Sequence, residues 1–152
     1  MTALKTVIVG FGAIARGLAA DPLMAQWFPI ATHAQAIEAS PDFELIGVVD
    51  PDASARKAAE IDWRVPAIAD IDKAAEKFRP DVLVLAAPPG DRLETLRAFP
   101  GVKGVMVEKP LGGGGSGLVR LAADREIPLQ VHFWRRGDPT HLELADGGLR
   151  AR

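Results

Sequence analysis

Thr6-Val7-Ile8-Val9-Gly10-Phe11-Gly12-Ala13-Ile14-Ala15 is the stretch on which the reading of this chain turns. Its first four residues are apolar or β-branched, the composition of a strand buried on both faces. Gly10-Phe11-Gly12 stops that run. Ala13 to Ala20 then reads as a helix start, broken by Asp21-Pro22. A G-x-G-x-x-A pattern that follows a strand and opens a helix is the context a dinucleotide-binding turn requires. Gly10 allows the tight turn. Gly12 lets the backbone approach a pyrophosphate with no Cβ in the way, and Ala15 is small enough for close helix–strand packing. The helix N-terminus would offer free N–H groups and a positive dipole end to the phosphates. The alternative is an ordinary glycine-containing turn with no ligand.

The rest of the chain repeats the rhythm. Strands are expected at Phe43–Val49, near Val65–Ile68, at Asp81–Ala86, Gly104–Val107 and Ile127–Phe133. Between them, helices are expected over Thr32–Ser40, Ala53–Ile61 (capped by Asp52 or Ser54), Asp70 or Asp72 to Phe78, Arg92–Phe99 and Gly117–Glu126. Near-continuously apolar strands alternating with helices mean a parallel sheet covered on both faces. The fold class is therefore α/β, a doubly wound, mostly parallel sheet of the Rossmann-like dinucleotide-binding kind. Such a fold places an acid at the end of its second strand, to accept hydrogen bonds from the adenosine ribose. Asp50 stands there, further along the chain than the usual spacing of about 20 residues. The segment from Pro22 to Ile30, which interrupts the first helix, accounts for the excess. An acid favours NAD(H) over NADP(H), a preference that nearby Arg56 softens. The other reading of Asp50 is a turn or capping residue before Pro51.

Composition bounds the remaining possibilities. The chain has 152 residues, is 48% hydrophobic, carries a net charge of −2 and contains no cysteine. That is one average domain. Disulfides and thiolate metal sites are excluded, and no run is long enough to span a membrane. Neither a secretory signal nor a basic stripe for nucleic acid is present. His33, His132 and His141 lack metal-ligand spacing, so no metal is expected.

A second signature, Glu108-Lys109-Pro110, follows Val105-Met106-Val107 at a strand end, where open α/β sheets bind ligands. A lysine there suits a substrate hydroxyl or the nicotinamide ribose. A surface ion pair is the plain alternative. Taken in order, Gly10-x-Gly12-x-x-Ala15, Val48-Val49-Asp50, Leu85-Ala86-Ala87-Pro88-Pro89 and Val107-Glu108-Lys109-Pro110-Leu111 resemble the N-terminal half of the glucose–fructose oxidoreductase / inositol dehydrogenase (Gfo/Idh/MocA) family. Thr32–Ile37 and Val131–Arg136 resemble further family segments. The resemblance implies a cofactor site of Gly10, Gly12, Ala13, Ile14, Ala15, Asp50, Ala87, Pro88, Glu108 and Lys109. In it Lys109 would be the catalytic-site lysine and Ala87 with Pro88 the nicotinamide-side wall. It also implies a cytoplasmic NAD(P)-dependent oxidoreductase that moves a hydride to or from a sugar- or cyclitol-like substrate, with room for a homo-oligomer.

Three departures qualify this. The family adds a second α/β domain that supplies an Asp/His pair, and here the chain stops shortly after Arg136. The expected organisation is thus a dinucleotide-binding domain over 1–136 and a tail over 137–152 resembling the start of a missing domain. Asp138 and His141 do not take the place of the pair, and His141 reads as an exposed helix residue. Second, Gly112–Gly117 reads as a flexible connection, natural or engineered, where the family carries helix. Third, Gly90 and Leu93 stand where the family often has Asn and His. Met24, Trp27 and Phe28 in the insertion read as a packing loop or else a lid. Trp134, Arg135 and Arg136 read as substrate contacts or as contacts to the missing domain. Three functional readings remain: an oxidoreductase, a stand-alone NAD(H)-binding module, and an interaction fragment pairing with another chain.

Overall fold

The computed structural model describes residues 2–133. Six strands, β1 (Leu4–Val9), β2 (Phe43–Val49), β3 (Ala67–Ile68), β4 (Val82–Leu85), β5 (Gly104–Val107) and β6 (Leu129–Val131), form one sheet in the order β3-β2-β1-β4-β5-β6. All five pairings are parallel. The order reverses between β1 and β4, the point at which such sheets open a ligand crevice.

Alternation along the strands sends side chains to two separate cores. Val7, Val9, Leu83, Leu85, Val105 and Val107 pack with Phe78, Leu96, Phe99 and Leu118 on one face. These come from or adjoin α4 (Ile71–Lys77), α5 (Arg92–Ala98) and α6 (Gly115–Asp124). Ile8, Val48 and Val84 pack on the other face with Phe11, Ala34, Ile37, Ala55 and Ala59, from the glycine turn, α2 (His33–Ala39) and α3 (Ala53–Asp62). The helices start where capping side chains stop the backbone N–H groups from going unpaired. Thr32 accepts from Gln35 N at 3.3 Å, Asp52 from Ala55 N at 2.9 Å and Asp70 from Lys73 N at 2.9 Å.

Three expectations need correction. The helix expected over Ala13–Ala20 is a wound turn in which Gly12 O accepts from both Arg16 N and Gly17 N, followed by a single 3-10 turn over Gly17–Ala20. A short run of small residues bounded by Gly12, Gly17 and Asp21-Pro22 cannot sustain helix nucleation. The start of α2 docks on this turn, His33 N and Ala34 N donating to Ile14 O and Ala15 O. Second, Asp21-Pro22 breaks one segment and starts another. Asp21 caps α1 (Pro22–Trp27) by accepting from Leu23 N at 2.8 Å, and Pro22 takes the first helical position. Trp27 and Phe28 on this insertion are 70% and 52% exposed, so they do not pack it against the sheet.

Third, the Gly112–Gly117 tract is held at two of its glycines and enters α6 at Gly115. Gly112 has φ +71°, and a Cβ there would lie 2.5 Å from the Pro89 Cβ. Gly115 opens α6 and is buried, and a Cβ on it would lie 2.6 Å from the Leu111 Cβ. Close contact, not looseness, explains these two glycines. Among the described residues no helix is long and apolar enough to cross a membrane. The expected tail, with Trp134, Arg135, Arg136, Asp138 and His141, lies outside the described residues.

Candidate cofactor site

Strand register assembles the site. Val49, Val9, Leu85, Val107 and Val131 are successive partners across β2, β1, β4, β5 and β6. The residues that follow them, Asp50, Gly10, Ala86, Glu108 and His132, therefore stand in one row along the carboxyl edge. In an all-parallel sheet that edge is where ligands sit.

At the first half of this row the backbone dominates. Gly10 has φ +88°, and a Cβ would lie 2.3 Å from Ala87 N. Glycine is required here both for the left-handed conformation and for the contact between β1 and β4. A Cβ on Gly12 would meet nothing within 4 Å, so this residue faces open space. Among the described residues, the N–H groups of Gly12, Ala13, Ile14 and Ala15 have no protein acceptor. Ala15 itself is fully buried against the sheet. Asp50 is also buried. Its Oδ2 accepts from Phe11 N at 2.6 Å and its Oδ1 from Asp52 N at 2.8 Å, so it closes the glycine turn against the end of β2. Arg56 Nη1 donates to Asp50 O at 2.9 Å and Pro51 O at 2.7 Å.

At the second half, side chains dominate. Arg92, at the start of α5, is 4% exposed. Its Nε and Nη2 donate to Ala87 O at 3.0 and 2.7 Å, and its Nη1 to Glu108 O at 2.5 Å and Pro110 O at 2.7 Å. One guanidinium thus ties the end of β4 to both peptide neighbours of Lys109, a rigid-fork role that a lysine cannot copy. Burial lowers its pKa, and the Glu108 charge opposes that effect. Sequence reasoning passed over Arg92 and attended to its neighbours Gly90 and Leu93.

Glu108 does not pair with Lys109 in a surface salt bridge. Its side chain is buried, and Oε1 meets His33 Nε2 at 2.9 Å and His132 Nδ1 at 2.5 Å, while Oε2 accepts from Lys109 N at 3.2 Å. Burial works against its charged form. The hydrogen bonds and charges of the two imidazoles outweigh that penalty, and the carboxyl titrates below the usual carboxylate range. Burial foremost, and then the neighbouring His132, push His33 below the ordinary histidine value against the pull of Glu108.

Spacing along the chain gave no hint of this cluster, because its members come from the start of α2 and the ends of β5 and β6. The three ligand atoms lie within 4.8 Å of one another. Both nitrogens sit at hydrogen-bond separations from a single oxygen, and although the histidines lack metal-ligand spacing along the chain, the fold brings these three side chains into a group that could hold a metal ion.

Two cavities follow the row. One of about 660 Å³ is lined by Gly10, Asp50, Ala87 and Pro88, among others. The next, of about 490 Å³, is lined by Ile14, Ala87, Pro88, Glu108, Lys109 and His132, among others. Ala87 and Pro88 line both, so the two cavities adjoin, and we term the pair the groove from Asp50 to Lys109. Gly10, Ile14, Asp50, Ala87, Pro88, Glu108 and Lys109 come together in it. Gly12, Ala13 and Ala15 do not line it, and they contribute to the turn above it.

A parallel doubly wound sheet with a glycine turn at its switch point defines a nucleotide-binding domain of the Rossmann class. The chain belongs to the Gfo/Idh/MocA oxidoreductase family with an NAD-binding Rossmann fold, whose sequence profile matches residues 4–133. Solved structures agree in fold. The WlbA dehydrogenase of Chromobacterium violaceum, in complex with NADH and UDP-GlcNAcA, is 24% identical with a TM-score of 0.75, over 97% of this chain and 40% of its own. Scyllo-inositol dehydrogenase of Lactobacillus casei, with NAD(H) and scyllo-inositol, is 20% identical with a TM-score of 0.74, over 96% of this chain and 42% of its own. The MviM dehydrogenase of Clostridium difficile is 25% identical with a TM-score of 0.67, over 94% of this chain and 43% of its own. The chain spans less than half the length of these structures. A search of curated protein sequences finds no match.

Proposed function

We propose that this chain binds NAD(H) in the groove between Asp50 and Lys109, as the cofactor half of an oxidoreductase. That enzyme would move a hydride between the nicotinamide and a sugar- or cyclitol-like hydroxyl or carbonyl carbon. The observation that carries this reading is the groove itself, which joins the glycine turn, the acid after β2 and the Glu108-Lys109-Pro110 segment at the switch point. The free N–H groups of Gly12, Ala13 and Ile14 would receive the pyrophosphate at the turn, with Gly10 setting their direction and buried Ala15 packing the turn against the sheet. Asp50 keeps lone pairs beyond those used by Phe11 N and Asp52 N, and they accept from the adenosine ribose. The Asp50 carboxylate favours NAD(H) over NADP(H), since a 2′-phosphate would meet a like charge, and Arg56, held beside it through Nη1 on the Asp50 and Pro51 carbonyls, softens that preference. Ala87 and Pro88 wall the nicotinamide end. Glu108, expected to contact the cofactor, turns its carboxylate to two imidazoles and fixes the segment that carries Lys109. Lys109 donates to the reacting oxygen and the nicotinamide ribose. The bound cofactor supplies the hydride acceptor.

A second reading is a stand-alone NAD(H)-binding module, since the cavities from Asp50 to Lys109 are formed by the described residues themselves. A turnover screen separates the two. NAD⁺ and a panel of polyols and sugars are incubated with the protein, and nicotinamide reduction is followed. Turnover that Lys109→Ala abolishes is the expected result. NADH binding without turnover of any panel member leaves the module reading in possession.

A further inference from the structure

We propose that His33, Glu108 and His132 form a binding site for one divalent transition-metal ion of the Zn²⁺ class at the edge of the groove. The site stands apart from the cofactor reading, and its test needs neither nucleotide nor turnover. Separations of 75 and 24 positions hide it in the sequence, and strand register assembles it.

Each ligand stands on a fixed piece of backbone, which a metal site needs if its geometry is to be held. His33 opens α2, where its N–H donates to Ile14 O at 3.2 Å. Glu108 follows β5, with its own N–H on Leu85 O at 3.0 Å and its carbonyl accepting from Arg92 Nη1. His132 follows β6, with its N–H on Val107 O at 2.8 Å. The carboxylate is also held from outside the cluster. Lys109 N donates to Oε2 at 3.2 Å, the kind of second contact that orients a ligand toward its ion. The rings of His33 and His132 lie edge to face, with centroids 4.9 Å apart and planes at 61°, so they converge on the carboxylate and do not stack.

Two imidazoles and one carboxylate are the donors of zinc and its neighbours, whereas Mg²⁺ and Ca²⁺ take oxygen ligands. Ligands at about 2.0–2.2 Å from a tetrahedral ion lie about 3.4 Å from one another. Here His33 Nε2 is 2.9 Å from Glu108 Oε1, and no two ligand atoms are more than 4.8 Å apart. The contacts to Oε1 open by about 0.5–1 Å as the ion enters, a movement within the broad terminal torsion of a glutamate. The ion takes the place of the protons that bridge the rings to the carboxylate. Each facing nitrogen then presents its lone pair, and the displaced proton moves to the ring's other nitrogen or to water. Entry is from the groove. The His132 side chain is 31% exposed, against 4% for His33 and 8% for Glu108. It lines the cavity that holds Lys109 and an adjoining one of about 430 Å³ with Ile14, Met24, Phe28 and His33. Three protein ligands leave the fourth position to water on that side, the arrangement of an open metal site.

Calorimetric titration of the full, untagged chain with Zn²⁺ at neutral pH tests this. Zn²⁺ should bind once per chain and raise the melting temperature, while Mg²⁺ and Ca²⁺ do neither. Co²⁺ in its place should show the visible absorption of a four-coordinate ion. His132→Ala, at the most exposed ligand, should lower Zn²⁺ affinity by more than the roughly 100-fold that loss of an outer contact costs at most. Glu108→Gln should do the same. His141→Asn, at the chain's remaining histidine, should bind Zn²⁺ as the unaltered protein does. No binding of Zn²⁺, equal binding of Mg²⁺, a smaller loss in His132→Ala, or the same loss in His141→Asn would overturn the site. Should Glu108→Gln fail to fold, His132→Ala decides alone, with its melting curve in the absence of metal showing that it folds.

Discussion

The two halves of the carboxyl edge are built in opposite ways. After β1 and β2 the site is made of backbone: a glycine in the left-handed region, four N–H groups with no acceptor among the described residues and one carboxylate that closes the turn. After β4, β5 and β6 it is made of buried side chains, with Arg92 on three carbonyls and Glu108 between two imidazoles. A backbone site depends on a few adjacent residues of fixed type. A side-chain site depends on groups brought together from distant parts of the chain, and it can exchange protons where a backbone site cannot.

The sharpest break in this contrast is expected at Gly10. Gly10→Ala adds a Cβ 2.3 Å from Ala87 N at a φ of +88°, and nothing there is a flexible side chain. A loss of about 4 kcal/mol or more in denaturant unfolding is expected, because strain and backbone clash combine. A loss below 1 kcal/mol would mean that the first half tolerates side chains after all. Next comes Arg92. Arg92→Met keeps much of the volume and strands the carbonyls of Ala87, Glu108 and Pro110, so a loss of about 3 kcal/mol is expected. Arg92→Lys should recover little of it, since a point charge cannot bridge both strand ends. Full recovery in Arg92→Lys would show that charge alone matters.

The same contrast decides what could be read in advance. The glycine turn, an acid closing the end of β2 and the succession of strands and helices along the chain were legible because each is a local pattern with a physical reason attached. Five of the six strands fall close to their expected places, and β3 shrinks to Ala67–Ile68. The helix after the glycine turn was misread because a fixed motif was extended into residues that cannot hold a helix. The Arg92 fork and the His33–Glu108–His132 cluster were illegible: 16 positions separate Arg92 from Glu108, and 75 separate His33 from it. No periodicity links residues that meet only because strand register places them in one row. The Gly112–Gly117 tract looked loose in sequence since nothing there names Pro89 and Leu111 as its neighbours.

A smaller effect is expected from pH, and the second half should produce its onset in mild acid, above the range where Asp52 and Asp81 titrate. His33 and Glu108 both titrate below their ordinary values of 6.5 and 4.5 in the folded protein. In each case the unfolded chain binds the proton first as pH falls, so the folded state loses stability in acid. The melting temperature should therefore decline below pH 6.5 through the His33 contribution, and more steeply below 4.5 as Glu108 is protonated. His33→Asn should remove the earlier part of that decline and keep the later. A melting temperature flat from pH 7 to 5 in the unaltered protein would contradict the shift assigned to His33.

The groove from Asp50 to Lys109 as an NAD(H) site is the central claim, and calorimetric titration with NADH and with NADPH tests it most directly. One NADH should bind per chain, NADPH should bind more weakly, and Asp50→Asn should narrow the difference between them. No heat with either nucleotide, or tighter binding of NADPH to the unaltered protein, would contradict the account.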